Sequence, residues 1–161
     1  MTTETKKLPL IDSSILIPRK EKSLKPTLDV FFCFDDAFCL PTGISALSVL
    51  KNNKDLPLNI HLVGVDISEQ NLGYFRKLDC APSSEVLFHS LTAEECQKLT
   101  ANRSTLHFPP ACFIRIFLPE LFPAINKMLY LDGDTLCVGS LKELADLNLQ
   151  DKLAAVVLDI K

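Results

Sequence analysis

The sequence predicts an α/β fold, a Rossmann-like, mostly parallel sheet with helices on both faces. Three observations lead there. Short apolar runs, of which Val30-Phe31-Phe32-Cys33-Phe34 is the clearest, read as strands buried on both faces. Segments with helical spacing of apolar residues fall between those runs. Alternation of the two is the pattern of a parallel sheet covered by its crossover helices.

Taken in order, residues 1–27 are polar, with prolines at 9, 18 and 26, and Ile15-Leu16-Ile17 is their one apolar anchor. They read as a basic N-terminal extension to an α/β domain covering residues 28–161. Val30–Phe34 is the first strand, and a polar loop begins at Asp35. Ile44, Leu47 and Leu50 place a helix over about Pro41–Lys51 with those three facing inward. Leu58, Ile60 and Leu62 lead into Val63 as a second strand. Ser68 can cap a helix through Leu78 that turns Leu72 and Phe75 inward. Val86–Phe88 is a short third strand. Thr92 to Glu95 has capping-box spacing and opens a helix to about Leu99; residues 100–109 read as loop. Pro110 suits the first turn of a helix carrying Phe113, Ile116 and Phe117, which Pro119 and Pro123 then break. Met128–Leu131 is the fourth strand, with Thr135–Val138 as a short strand beyond it. A helix over Leu141–Ala145 comes next, then a final buried strand, Leu153–Leu158, ending at Asp159.

Composition excludes several function classes. With 47% hydrophobic and 23% charged residues, the chain has the make-up of a globular domain, not a disordered one. Its apolar runs fall far short of the ~20 residues of a membrane span. No apolar core follows Lys6 and Lys7 as a signal peptide would require, so the expected compartment is the cytosol. Residues 1–27 carry six basic and three acidic groups, the remainder 11 and 17. So acidic a body argues against nucleic acid as a partner, which would need a basic face to displace counterions. The basic leader reads as a solvated tail before it reads as a membrane contact. Six cysteines, at 33, 39, 80, 96, 112 and 137, form no Cys-x-x-Cys pair and read as reduced, buried thiols. His61, His89 and His107 are scattered and read as structural.

The chemistry sits at the strand ends. Asp35-Asp36 follows the first strand, Asp132-Gly133-Asp134 the fourth, and Asp159 the last. Ligands of such sheets bind beyond the carboxyl ends of the strands. Carboxylates gathered there repel one another unless a cation joins them, and hard oxygen donors suit Mg²⁺ or Mn²⁺. Gly133 is expected to let the backbone turn so that Asp132 and Asp134 reach one ion. Such an ion would hold diphosphate oxygens.

Three segments carry a family resemblance. Leu28–Ser45 contains Val-Phe-Phe-Cys-Phe-Asp-Asp-Ala-Phe, Ala111–Pro119 carries Phe-Ile-Arg-Ile-Phe-Leu-Pro, and Lys127–Gly139 reads Lys-Met-Leu-Tyr-Leu-Asp-Gly-Asp-Thr-Leu-Cys-Val-Gly. In this order and spacing they resemble glycosyltransferase family 8, most of all its bacterial lipopolysaccharide core glucosyl- and galactosyltransferases. The resemblance covers residues 28–161. It implies a GT-A type nucleotide-sugar-binding fold and a retaining, metal-dependent hexosyltransferase. The implied donor is UDP-glucose or UDP-galactose, and the implied acceptor a lipopolysaccharide core oligosaccharide. It further implies a cytoplasmic protein, with a peripheral contact to the inner membrane. Asp35 matches the acid that bonds the uracil, in a stretch with Cys33 and Phe34, and Phe38 matches the aromatic stacked on that base. Arg115 matches the arginine that contacts the donor. Asp132 and Asp134, flanking Gly133, match the Mn²⁺ or Mg²⁺ ligands, and Asp159 matches the acid that bonds the donor sugar. Ala37 departs from the family, which usually has Asn there, and so removes a polar contact to the nucleotide.

Plainer readings stand beside these. Asp35 can cap the helix after it, Phe38 can belong to the core, Arg115 can pair with a structural carboxylate, and Asp159 can be a loop acid. Family members are longer, and their C-terminal half supplies most of the acceptor site and a histidine for the metal. The expectation is therefore a donor-binding half with weak donor affinity and little transfer of its own. Two alternatives remain at this level. One is a catalytically inactive remnant or non-catalytic binding module of the same fold. The other is a haloacid dehalogenase-type phosphatase, which also places Asp-x-Asp after a strand but expects Thr or Val where Leu136 stands.

Overall fold

Leu28–Asp35 (β2) is an inner strand, paired in parallel with Leu58–Val65 (β3) on one side and with Met128–Tyr130 (β5) on the other. Glu85–Leu91 (β4) continues the parallel sheet beyond β3, and Asp12–Ile17 (β1) closes that edge in antiparallel register. The order is thus β1-β4-β3-β2-β5. The computed structural model describes residues 11–21, 27–100 and 109–157. The mostly parallel α/β sheet is as the sequence predicts. The antiparallel edge strand is not. Residues 12–17 extend the sheet instead of trailing from it, with Leu16 and Ile17 partly buried and Ile15 exposed.

Helices cover both faces because β2 and β3 are apolar on both. On one face Val30, Phe32, Phe34, Ile60 and Leu62 pack under Cys39–Asn52 (α1), Glu69–Phe75 (α2) and Lys142–Asp146 (α5). On the other, Phe31, Cys33, Val63 and Val65 meet Ala93–Thr100 (α3), the 3-10 segment Pro110–Phe117 and Leu118–Leu121 (α4). Local signals set the helix starts. The Ser68 hydroxyl accepts from Asn71 N at the head of α2. Thr92 and Glu95 close their capping box in both directions, at 2.8 and 3.2 Å. Lys127 Nζ donates to the carbonyls of Ala145 and Leu147 and so caps the far end of α5.

Several elements differ from expectation. α1 buries Thr42, Ser45, Ala46, Val49 and Leu50 and leaves Ile44 exposed, because a polar stripe of this helix is covered by chain that follows β5. Leu72 and Phe75 face inward as predicted, but α2 stops at Phe75. Pro110 opens a 3-10 segment, and Pro119 stands in the first turn of α4, where its missing N–H costs nothing, so it starts a helix instead of breaking one. Thr135–Val138 is not a strand. Residues 153–157 form none either, and Leu153, Val156 and Val157 are exposed; Leu158 lies outside the described residues. An apolar run becomes a buried strand only with a sheet neighbour, and these residues have none among the described ones. The expected loop over 100–109 and His107 fall mostly outside the described residues.

A hydrogen-bonded chain crosses the four strands β2, β3, β4 and β1. Asp29 Oδ1 lies 3.0 Å from His61 Nε2, His61 Nδ1 3.0 Å from His89 Nε2, and His89 Nδ1 2.8 Å from Ser13 Oγ. Burial raises the Asp29 carboxyl, but bonds from His61 and Asn59 outweigh it and hold Asp29 below its ordinary range. With Asp29 ionised, each imidazole donates through Nε2 and accepts at Nδ1, and Ser13 donates. His61 and His89 are structural, as expected. Burial, then the neighbouring His61, pushes His89 down to about 3. An unfolded chain would protonate this ring near pH 6.5, so stability is full above that value and falls as pH drops from about 6.5 towards 3. Urea unfolding at pH 7.5 and pH 5 should show the wild type losing up to about 2 kcal/mol more between the two than His89→Gln does.

Candidate functional site

The chain winds from β2 through β3 to β4 in one direction and then returns to the opposite side of β2 with β5. The carboxyl ends of β2 and β5 therefore flank the point where the winding reverses, which is where open α/β sheets hold their ligands. Asp35 ends β2. Leu131 N donates to Phe31 O at 3.0 Å, so Asp132 leaves the sheet directly beside it.

Asp132 to Thr135 form a tight turn. Thr135 N and Oγ1 both donate to the Asp132 carbonyl, at 3.1 and 2.8 Å. From Thr135 onward the chain is bound to α1 in place of a strand. Thr135 Oγ1 lies 3.3 Å from Ser45 Oγ, Cys137 N donates to Ser48 Oγ at 2.9 Å, and Asn52 Nδ2 donates to Cys137 O at 2.9 Å. Asn53 Oδ1 then takes Leu141 N at 2.6 Å. Gly133 is needed here for closeness and not for backbone freedom, because no glycine among the described residues has a positive φ. A Cβ at Gly133 would stand 2.3 Å from Thr42 Oγ1 and 3.1 Å from the Phe38 ring.

Asp132 is held from two sides. Tyr130 Oη donates to Asp132 Oδ1 at 2.7 Å, and Arg115 Nη1 donates to the same oxygen at 3.1 Å. The Arg115 guanidinium also lies 5.5 Å from the centre of the Tyr130 ring. Arg115 thus pairs with a carboxylate, as the plainer reading expected, but the carboxylate is that of the site itself. Both side chains are about half exposed, so the pair contributes roughly 0–1 kcal/mol. Its value is positional. Burial raises the nearby Cys112 thiol, Arg115 opposes that, and the charges of Asp132, Asp35 and Asp134 add to it. Burial, with the bond to Asp132 among the further causes, also pushes the Tyr130 phenol up, so it remains a donor.

A cavity of about 350 Å³ opens next to this cluster, lined by Asp35, Asp36, Ala37, Val65, Asp66 and Pro110 among others. Asp35 Oδ1 caps the turn after β2 by accepting Phe38 N at 3.2 Å. Asp36 is committed to the fold. The backbone N–H of Ser68 and then Asn71 Nδ2, each 2.8 Å away, hold its carboxyl below the ordinary range. Asp66 takes a left-handed conformation, φ 49°, and its carboxylate receives Ala93 N at the head of α3. Phe38 is 41% exposed and lies against the Gly133 turn. The Cys33 and Phe34 side chains are buried in opposite cores and do not line the cavity. Asp159 lies outside the described residues.

The family model for glycosyl transferase family 8 matches residues 29–161. The chain belongs to that family. A lipopolysaccharide 1,2-glucosyltransferase of Escherichia coli is 26% identical to it over 137 residues, covering 84% of this chain and 40% of the relative. A lipopolysaccharide 1,3-galactosyltransferase of Salmonella typhimurium is 28% identical over 131 residues, covering 80% and 38%. The crystal structure of galactosyltransferase LgtC in complex with donor and acceptor sugar analogs superposes with a TM-score of 0.66 at 27% identity, over 77% of this chain and 44% of that one. This family 8 chain therefore has the GT-A fold over its sheet and spans about two-fifths of the length of the curated relatives it matches. Family membership displaces the phosphatase alternative.

The donor set of this family 8 chain fits a hard divalent cation in part. Asp132 and Asp134 offer carboxylate oxygens at either end of a Gly133 step that Thr42 and Phe38 hold fixed. Among the described residues no group of three or more His, Cys, Asp or Glu is arranged to hold a metal. Remaining positions would fall to diphosphate and water. Sequence reasoning missed Tyr130, because its hydroxyl bond to Asp132 depends on where β5 ends. It also missed Thr42, for which the sequence carries no sign.

Thr42 Oγ1 is buried without a hydrogen-bond partner, so Thr42→Ala should leave stability nearly unchanged. Gly133→Ala should cost about 1–3 kcal/mol, and the cost should shrink when Thr42→Ala is added, as a double-mutant cycle by urea unfolding would show.

Proposed function

We propose that this chain is the donor-binding part of a retaining hexosyltransferase that uses UDP-glucose or UDP-galactose, needs Mn²⁺ or Mg²⁺, and serves lipopolysaccharide core synthesis. The observation that carries it is the Asp132-Gly133-Asp134 turn, with Arg115 on Asp132 and the Asp35–Phe38 turn alongside. The relatives' names supply the sugar and acceptor classes.

The nucleobase sits at the Asp35–Phe38 turn, with the Asp35 carboxylate as acceptor for a base N–H and the exposed Phe38 ring as its stacking face. Ala37 offers no polar group to it, which lowers affinity. Asp132 and Asp134 hold the cation, which, when bound, offsets charge on the departing diphosphate. Arg115 is half exposed, so it can move from Asp132 to a phosphate oxygen at little cost and carry its charge to where negative charge grows. The acceptor hydroxyl approaches on the face from which UDP departs, which retains the anomeric configuration. Two protein carboxylates make a weak metal site, so donor binding by this chain is modest and transfer by it slow.

Titration with UDP-glucose and with UDP-galactose, with and without Mn²⁺, tests the reading. The wild type should bind one of them in a metal-dependent manner, and Asp132→Asn should weaken that binding at least tenfold with its thermal unfolding unchanged. Equal binding by the variant, or binding indifferent to metal, leaves only a binding module of this fold.

A further inference from the structure

We infer that Tyr130 is a positioning residue for the cation site, fixing the Asp132 carboxylate so that its second oxygen faces the ion. The inference rests on the metal-dependent reading of this site. Tyr130 and Asp132 are two residues apart where β5 leaves the sheet, and side chains at that spacing on extended chain project to the same side. The bond between them, 2.7 Å, is therefore built into the backbone. Among the described residues, both side-chain donors to Asp132 meet Oδ1, Tyr130 from the same strand end and Arg115 from the 3-10 segment. That leaves Oδ2 as the oxygen to offer a cation.

The two donors differ in permanence. Arg115 is tethered to another element, is half exposed, and carries a charge that a bound cation repels. Tyr130 is neutral, partly buried and paired with Phe31 through the strand register, so a cation gives it no reason to leave. Its ring also lies within 5.5 Å of the Arg115 guanidinium. Tyr130 thus orients both partners, and its hydroxyl continues to hold Asp132 after Arg115 turns to the diphosphate. Groups that orient a metal-bound carboxylate in this way typically affect metal affinity about 10–100-fold.

Tyr130→Phe keeps the ring and removes only the hydroxyl. Electron paramagnetic resonance titration of Mn²⁺ with UDP present should show the variant binding Mn²⁺ about tenfold more weakly or worse, at an unchanged thermal midpoint. Unchanged Mn²⁺ affinity in Tyr130→Phe, with the loss still seen in Asp132→Asn, overturns this role and leaves the proposed function standing. No Mn²⁺ binding by the wild type overturns both. A second readout needs no change at position 130. The chain has two tyrosines, and in a Tyr74→Phe chain Tyr130 is the one that absorbs. Adding Mn²⁺ with inorganic pyrophosphate, which does not absorb there, should then give a tyrosine difference spectrum, and a flat one overturns the proposal even if Tyr130→Phe fails to fold.

Discussion

The polar stripe of α1, Thr42, Ser45, Ser48 and Asn52, takes the place of a sheet neighbour for the chain that leaves β5. Without it the Asp132–Thr135 turn would hang from a three-residue strand. With it, the turn is pressed so closely on α1 that residue 133 has no room for a side chain. The same helix begins just after the Asp35–Phe38 turn, so one rigid element fixes both walls of the crevice. The proposed diphosphate site would benefit from this, because neither wall has to be ordered when a ligand arrives.

Much of the fold is legible in the sequence because the central strands are apolar on both faces. Val30–Phe34 and Leu58–Val63 announce themselves, as do the caps at Ser68 and Thr92. The errors share a cause. Ile44 reads as inward because apolar residues on a helix usually are, and only the tertiary contact of Thr42 and Ser45 with the Gly133 segment reverses that face. Residues 135–138 and 153–157 have strand composition, yet strand formation depends on a partner that composition does not reveal. The edge strand at residues 12–17 is hidden for the opposite reason. Its serines look like tail, but on an edge they face solvent, and Ser13 meets His89.

In the candidate site, Asp35, Phe38, Arg115, Asp132 and Asp134 are proposed from the family resemblance; the structure sets Arg115 on Asp132 and Phe38 against the Gly133 turn, and Asp35 ends the neighbouring strand β2. Gly133 is readable too, but for a different physical reason from the one that holds. Tyr130 looks like no more than part of an apolar run, because its hydroxyl bond to Asp132 depends on where β5 ends. The plainer readings of Asp35 and Arg115 also hold, since each has a structural bond among the described residues. Both bonds are exposed, so the proposed ligand roles do not conflict with them.

Paramagnetic broadening of amide NMR signals by Mn²⁺ in the presence of UDP tests the central claim most directly, because it places the ion without relying on activity. The account predicts broadening centred on residues 132–135, reaching Asp35–Thr42 and Arg115, and sparing β1. Broadening centred elsewhere, for instance at Glu94 and Glu95 on α3, would contradict it.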